Sequence, residues 1–348
     1  MLVGILKNEL GESHVKWEKA CLSQNIDFVI IDLTKNDWFD KVKNDEISFF
    51  LLKPPGEIQK FKDLYDERVY IISEILHKKV FPSYSEIVLH ENKKLLSYFL
   101  KAKKLPCPPT DVYYFKQEAF DNLGKYDFPV VVKTAIGASG SGVTLIWDIS
   151  DLKKYICKAF KRGIKRRFGP NRNTGNTKKW MLKLLDDFPK AIKKIKKYFT
   201  IYGDTQKGYV IIQKYIPHTF EWRVVKIGRS FFAHKKIKVG DKASGTKGID
   251  YTNPPLSLLD FVKDLCESNN FNFMAVDLFE DPSGRGFIIN ELQTVFGHVQ
   301  DYLMEVDGIR GRYVFTNGSW IFEEGNFNTN ESYDLRLIEA LEIYENGK

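Results

Sequence analysis

The chain has 348 residues, 43% hydrophobic and 28% charged. This is ordinary for a soluble globular protein and enough for one large core or several modest ones. No apolar run approaches the ~20 residues of a membrane helix. The start, Met1-Leu2-Val3-Gly4-Ile5-Leu6, reads as a strand, since it lacks the basic start and cleavage site of a signal peptide. The net charge of +8 is local: residues 158–197 hold fifteen Lys/Arg and two Asp, a net +13 that leaves −5 for the rest. Such a patch implies an anionic partner. Nucleic acid is not expected, because aromatic residues are sparse there and no base-reading motif appears. Cys21, Cys107, Cys157 and Cys266 are far apart and form no metal-type pair; they read as reduced thiols in a cytoplasmic protein.

Residues 2–6 are an apolar strand, and residues 14–24 place Val15, Trp17, Ala20 and Leu22 at helical spacing. Strands follow at 27–33 and 48–52, the second stopped by Pro54-Pro55-Gly56. Residues 64–77 carry Tyr65, Val69, Ile72 and Leu76 on or near one helical face. This order predicts a small open parallel-sheet domain. A helix at 91–104 ends before Pro106, Pro108 and Pro109, and strands at 128–133 and 143–147 flank a glycine-rich turn. Within the basic segment, residues 169–177 read as a polar loop. Residues 188–199 read as an amphipathic helix with Phe188, Ile192, Ile195 and Phe199 on one face. Residues 209–325 read as strands and tight turns, and 331–345 as a terminal helix.

Two stretches carry chemistry. In the first, the strand Phe128-Pro129-Val130-Val131-Val132-Lys133 runs into Gly137-Ala138-Ser139-Gly140-Ser141-Gly142-Val143. Glycines let backbone N–H groups curl around phosphate oxygens, and the lysine adds a cation. A P-loop would need Gly-Lys-Ser/Thr opening a helix, and a dinucleotide loop would need a helix after the glycines; here a strand follows. A protein kinase places its lysine after the loop, not before. In the second stretch, a strand at 272–280 turns through Asp281-Pro282-Ser283-Gly284-Arg285-Gly286 into a strand at 287–293. Asp277 sits among apolar residues, where an unpaired carboxylate is costly. Glu291 and Gln293 share one face. Three oxygen donors on two adjacent strands suit magnesium.

In this order the motifs resemble those of the ATP-grasp superfamily, which includes glutathione synthetase, D-alanine ligase and ribosomal-protein glutamate ligases. The resemblance covers about residues 90–300. Lys93, after Asn92 at a helix start, and Lys133 match the family's two lysines, and Gly137 to Val143 match its flap. The segment Val210-Ile211-Ile212-Gln213-Lys214-Tyr215-Ile216 matches the hinge, where Gln213 and the backbone of Lys214, Tyr215 and Ile216 meet adenine. Asp277, Glu291 and Gln293 occupy the metal-ligand places, with Gln293 where Asn is usual. Glu221-Trp222-Arg223 resembles the acid-x-Arg element; Glu221 then belongs to the ATP site, and Arg223 holds the substrate carboxylate or the transferring phosphate. Lys242, in Asp241-Lys242-Ala243-Ser244-Gly245, stands where related ligases carry arginine, and keeps the charge without the bidentate fork. Lys236, Lys238 and His298 are candidate substrate contacts; the two lysines read equally as a solvated strand face.

The resemblance implies an α/β (α+β) fold with four parts. These are a pre-ATP-grasp parallel-sheet domain over 1–88, a lid over 89–212 with the basic insertion at about 158–200, a C-terminal antiparallel-sheet subdomain over 213–330, and a terminal helix over 331–348. It implies ATP and Mg2+ as cofactors and a carboxylate–amine ligation through an acyl phosphate. The basic lid suits an anionic acceptor such as an acidic glycan. A phosphotransferase acting on a hydroxyl and a non-catalytic ATP-binding module remain as alternatives.

Overall fold

The computed structural model describes residues 1–8, 12–137, 140–166, 192, 199–239, 242–243, 248–298 and 300–347, the side chains of 239, 242 and 243 excepted. Apart from 192 and 199, the expected loop at 169–177 and helix at 188–199 lie outside these residues.

The first sheet is built from β1 (Leu2–Lys7), α1 (Val15–Ser23), β2 (Asp27–Asp32), α2 (Trp38–Val42), β3 (Ile47–Leu52), α3 (Gln59–Tyr70) and β4 (Val80–Phe81), with a π-helical turn at Ile71–Ile75. Its strands run parallel in the order β2-β1-β3-β4. Both faces are covered, so β3 reads as a continuous apolar run. Phe49 and Leu51 enter one core while Phe50 and Leu52 enter another, as a period of two requires.

The chain continues through α4 (Tyr84–Leu89) and α5 (Lys93–Ala102) into β5 (Thr110–Tyr113), α6 (Lys116–Asp121), β6 (Val130–Lys133), β7 (Val143–Ile146), α7 (Ile149–Lys161) and β8 (Val210–Lys214). These strands form an antiparallel sheet, β5-β8-β6-β7. Val130, Val132 and Ile212 pack with Leu152, Ile156 and Ala159 of α7. Alternation therefore turns Val131, Lys133, Ile211 and Gln213 to the opposite face.

The third sheet takes β9 (Phe220–Ile227), β10 (Ser230–Val239), β11 (Lys242–Ala243) and β12 (Ile249–Asp250). After α8 (Leu256–Glu267) come β13 (Phe273–Glu280), β14 (Phe287–Gln293), β15 (Glu305–Val306), β16 (Ile309–Thr316) and β17 (Ser319–Glu324). The main path is β14-β13-β9-β10-β16-β15, with β11 and β12 on β10 and β17 on β16. The final helix, α9 (Tyr333–Asn346), packs against the first sheet through Tyr333 on Trp17 and Tyr344 on Phe49. No described helix is long and apolar enough to cross a membrane. The four cysteines are unpaired.

The structure corrects the strand-only reading of 209–325. Leu258, Leu259, Val262, Leu265 and Cys266 are buried at helical spacing on α8, behind Pro255 at its N-cap. The helix expected at 64–77 starts earlier, at Gln59, and α7 follows β7 behind an Asp148 side chain that accepts the Asp151 N–H.

One buried carboxylate ties α4 to the large sheet. Glu86, in a capping box with Ser83, accepts the Asn272 and Phe273 N–H groups at 2.8 and 2.5 Å and the Ser83 N–H at 2.8 Å. Burial pushes its carboxyl above the usual range, and these N–H donors pull against that rise. Glu86→Ala leaves three backbone donors without this acceptor and is expected to cost about 3 kcal/mol or more. Glu86→Gln, which keeps an acceptor oxygen, is expected to cost less than half of that. Urea denaturation checks the pair, and an unshifted midpoint for Glu86→Ala contradicts this role.

Candidate functional site

Strand register builds the floor of the site. Glu291, Asp277, Arg223 and His234 stand side by side across β14, β13, β9 and β10. Asp277, only 2% exposed, is gripped by Arg223 through two bonds of 2.8 and 2.9 Å and by the Lys236 ammonium at 2.6 Å. Burial alone would raise the Asp277 carboxyl; these two cations instead hold it far below the usual carboxylate range. Lys236 also binds Glu221 at 2.6 Å. At 5% exposure it does not lie on a solvated strand face.

A β-bulge adds a residue that alternation hides. Asp277 pairs with Glu291 while Leu278 pairs with Ile289, so Asn290 is the extra residue on β14. The bulge turns it toward Glu291, where its carboxamide bridges the two walls of the site. Its oxygen accepts the Lys133 ammonium at 3.1 Å, and its N–H donates to Glu221 at 3.2 Å. Burial pushes the Lys133 ammonium down to about 8; Glu291 opposes this and the like charge of Lys93 adds to it.

Lys93 opens α5 behind Asn92, whose side chain accepts the Leu95 N–H. Its ammonium bridges Glu91 at 3.0 Å and Glu291 at 3.2 Å. Burial would weaken the ammonium form, but these carboxylates raise it above the usual lysine range. The backbone N–H of Lys93 donates to Ala135 at 3.0 Å, which binds the helix start to the root of the glycine-rich turn. Gly142 is required there, since a Cβ would sit 1.7 Å from the Thr134 hydroxyl. The Gly137 N–H donates to Glu91 at 3.0 Å. Gly140, Ser141 and Val143 are also described; Ala138 and Ser139 lie outside the described residues.

Three cations, Lys93, Arg223 and Lys236, thus interlock with four carboxylates, Glu91, Glu221, Asp277 and Glu291, and Lys133 joins them through the Asn290 carboxamide. Gln293 closes the ring: its oxygen lies 3.5 Å from Arg223 and its nitrogen 3.5 Å from Glu91. Among the described residues no three His, Cys, Asp or Glu side chains form a metal-type cluster. The oxygen set of Asp277, Glu291 and Gln293 reaches three only through a carboxamide. Its hard donors fit a magnesium ion in kind. Both oxygens of Asp277 are engaged by Arg223 and Lys236, whereas Lys93 engages one oxygen of Glu291.

The chain crosses from the second sheet to the third between Lys214 and Phe220. Gln213 donates to the Thr110 hydroxyl at 2.9 Å, and the Lys214 N–H goes to Pro109 at 2.8 Å. That N–H is therefore already engaged, whereas the N–H groups of Tyr215 and Ile216 have no such bond to the described residues. Lys238 donates to the Tyr215 hydroxyl at 2.8 Å, so it braces the crossing and is separate from the Asp277 row. His298 lies at the other end, its ring 5.6 Å from that of His234 and its Nε2 3.0 Å from Gln300. His234, buried beside Arg223, is pushed down to about 3, chiefly by burial, and is neutral. The backbone of Lys242 pairs with Val239; its side chain lies outside the described part. Glu91, His234 and Asn290 were not singled out from sequence. The position of Glu91 just before Asn92-Lys93 was the only signal for it.

No family model matches the chain. Over 224 residues it is 26% identical to the alpha-aminoadipate–LysW ligase LysX of Sulfurisphaera tokodaii, a match that covers 64% of this chain and 66% of that protein, just under two thirds of its length. A RimK domain ATP-grasp protein from Sphaerobacter thermophilus aligns with a TM-score of 0.52 at 16% identity, over 84% of this chain and 90% of the other. The D-alanine–D-alanine ligase of Bacillus anthracis complexed with ATP aligns over the full length of both chains, with a TM-score of 0.54 at 14% identity. At this level of identity these likenesses show a shared fold: the mixed three-sheet architecture is that of the RimK domain ATP-grasp protein and of the D-alanine–D-alanine ligase.

Proposed function

We propose that this protein is an ATP- and magnesium-dependent carboxylate–amine ligase. The observation that carries the reading is the convergence of Lys93 and Lys133, from separate elements, on the Asn290-Glu291 bulge opposite Asp277 and Arg223. This is a concentrated, compensated charge site beside a glycine-rich turn, as a nucleotide polyphosphate needs. The names of the relatives, LysX and D-alanine–D-alanine ligase, support the same class. In this reading adenine lies against Val131 and Ile211 and meets Gln213 and the backbone of Tyr215 and Ile216. Lys93, Lys133 and the flap from Gly137 to Val143 take the phosphates, with Glu221 at the edge of the ATP site.

A carboxylate oxygen of the substrate attacks the γ-phosphorus, the bond to the β-phosphate oxygen breaks, and an acyl phosphate and ADP form. An amine nitrogen then attacks the acyl carbon, phosphate leaves, and the amine gives up a proton. Arg223, preorganised by Asp277, steadies the reacting oxygens, and Lys242, on β11, adds charge. Asp277, Glu291 and Gln293 would hold magnesium, which would supply positive charge to the phosphates. The flap excludes water, which would hydrolyse the acyl phosphate. The net charge of +13 over residues 158–197 suits a large anionic acceptor, and an acidic glycan with amidatable carboxylates is the class we favour. Lys236 serves the floor of the site, and His298 lies at its far end as a candidate substrate contact. A cytoplasmic location agrees with this chemistry.

Two measurements follow. Release of ADP in the presence of carboxylate and amine pools is expected to depend on the amine and to fall about a hundredfold or more in Glu291→Ala; unchanged turnover contradicts the assignment. Nucleotide binding is also expected to depend on pH through Lys133. Burial pushes its ammonium down to about 8, so it is charged below that pH and neutral above it. Bound phosphate favours the charged form. The dissociation constant for ADP should therefore be flat below about pH 7 and rise up to about tenfold per unit above 8. Calorimetry checks this, and Lys133→Arg should flatten the rise.

A further inference from the structure

Glu91 is the carboxylate of the network to which neither phosphate binding nor metal binding assigns a role. Its Oε2 accepts both the Gly137 N–H at 3.0 Å and the Lys93 ammonium at 3.0 Å. Its Oε1 lies 3.5 Å from the Gln293 nitrogen, and the residue is 4% exposed. A glycine amide and a lysine ammonium meeting on one oxygen form the donor set that a phosphate oxygen takes. The two ligands exclude each other, because a phosphate that takes both donors leaves a buried carboxylate without its counter-charge. The backbone keeps Glu91 in place at φ +50, a left-handed conformation strained for a residue with a β-carbon. The bond from the Lys93 N–H to Ala135 holds the same two segments together from behind.

We propose that Glu91 is a built-in competitor for the nucleotide phosphates. Its carboxylate latches the turn at Gly137 onto Lys93 in the nucleotide-free protein and is displaced when phosphate takes those donors. The inference rests on the nucleotide reading above. The latch lowers apparent affinity by the fraction of molecules it holds closed. If latched molecules outnumber open ones about ten to one, abolishing the latch tightens binding about tenfold.

The test is calorimetry of ADP with magnesium on the full chain and on Glu91→Gln, joined to amide hydrogen exchange over residues 134–137 without nucleotide. The expected result is about tenfold tighter ADP binding by Glu91→Gln and faster exchange at those amides. A supporting part that merely holds the fold would weaken ADP binding when changed. Equal or weaker binding by the variant, or unchanged exchange, overturns the latch. Should Glu91→Gln not fold, Glu91→Asp serves, since its shorter side chain keeps the charge but cannot reach the point where the two donors meet. Wild-type protein that binds no ADP overturns the nucleotide reading itself. Wild-type protein that binds, with no gain in the variant, overturns only the role of Glu91.

Discussion

A carboxylate in the middle of a buried sheet must be compensated, and Asp277 is the group around which the site is compensated. Arg223 meets it in register from β9, and Lys236 reaches it from β10. Removing either cation would leave the buried Asp277 charge only partly compensated, so the three side chains hold one another in place. That rigidity orients the guanidinium of Arg223 before any ligand arrives. The second sheet meets this floor through Lys133, and α5 meets it through Lys93. The two walls of the cleft are therefore joined by charged hydrogen bonds, which a ligand can exchange.

That arrangement balances the site in charge. Three of the four cations are held by carboxylates: Lys93 by Glu91 and Glu291, Arg223 by Asp277, Lys236 by Asp277 and Glu221. Lys133 differs, since it is bonded to a neutral carboxamide and its ammonium is weakened by burial. It has the most to gain from a phosphate. A bound magnesium ion would add positive charge at Glu291, so the site is suited to a nucleotide that arrives with its counter-ion.

Much of this was legible in the sequence, and the reasons for success and failure are physical. Asp277 within an apolar strand and Glu291 two positions before Gln293 identify the floor, because period two fixes the face of each residue. The lysine-ended strand before a run of glycines identifies the opposite wall. Asn290 escaped because the bulge that turns it inward depends on pairing with β13, which alternation along one strand cannot reveal. Glu91 escaped because its partners, Gly137 and Gln293, are far along the chain. α8 escaped because it is a helix set within a stretch whose pattern is otherwise that of strands and turns, although its apolar residues recur at helical spacing. Lys236 reads either as a cleft contact or as a solvated strand residue, because alternation alone does not say which face is covered; the register opposite Glu221 decides against solvent.

The measurement that tests the central claim most directly is a crystal structure of the protein with ADP and magnesium. The account predicts the diphosphate between Lys93 and Lys133, with adenine against Val131 and Ile211 at the crossing between Lys214 and Phe220 and the metal on Glu291. A nucleotide bound elsewhere, or a diphosphate that leaves both lysines in their present carboxylate and carboxamide bonds, would contradict it.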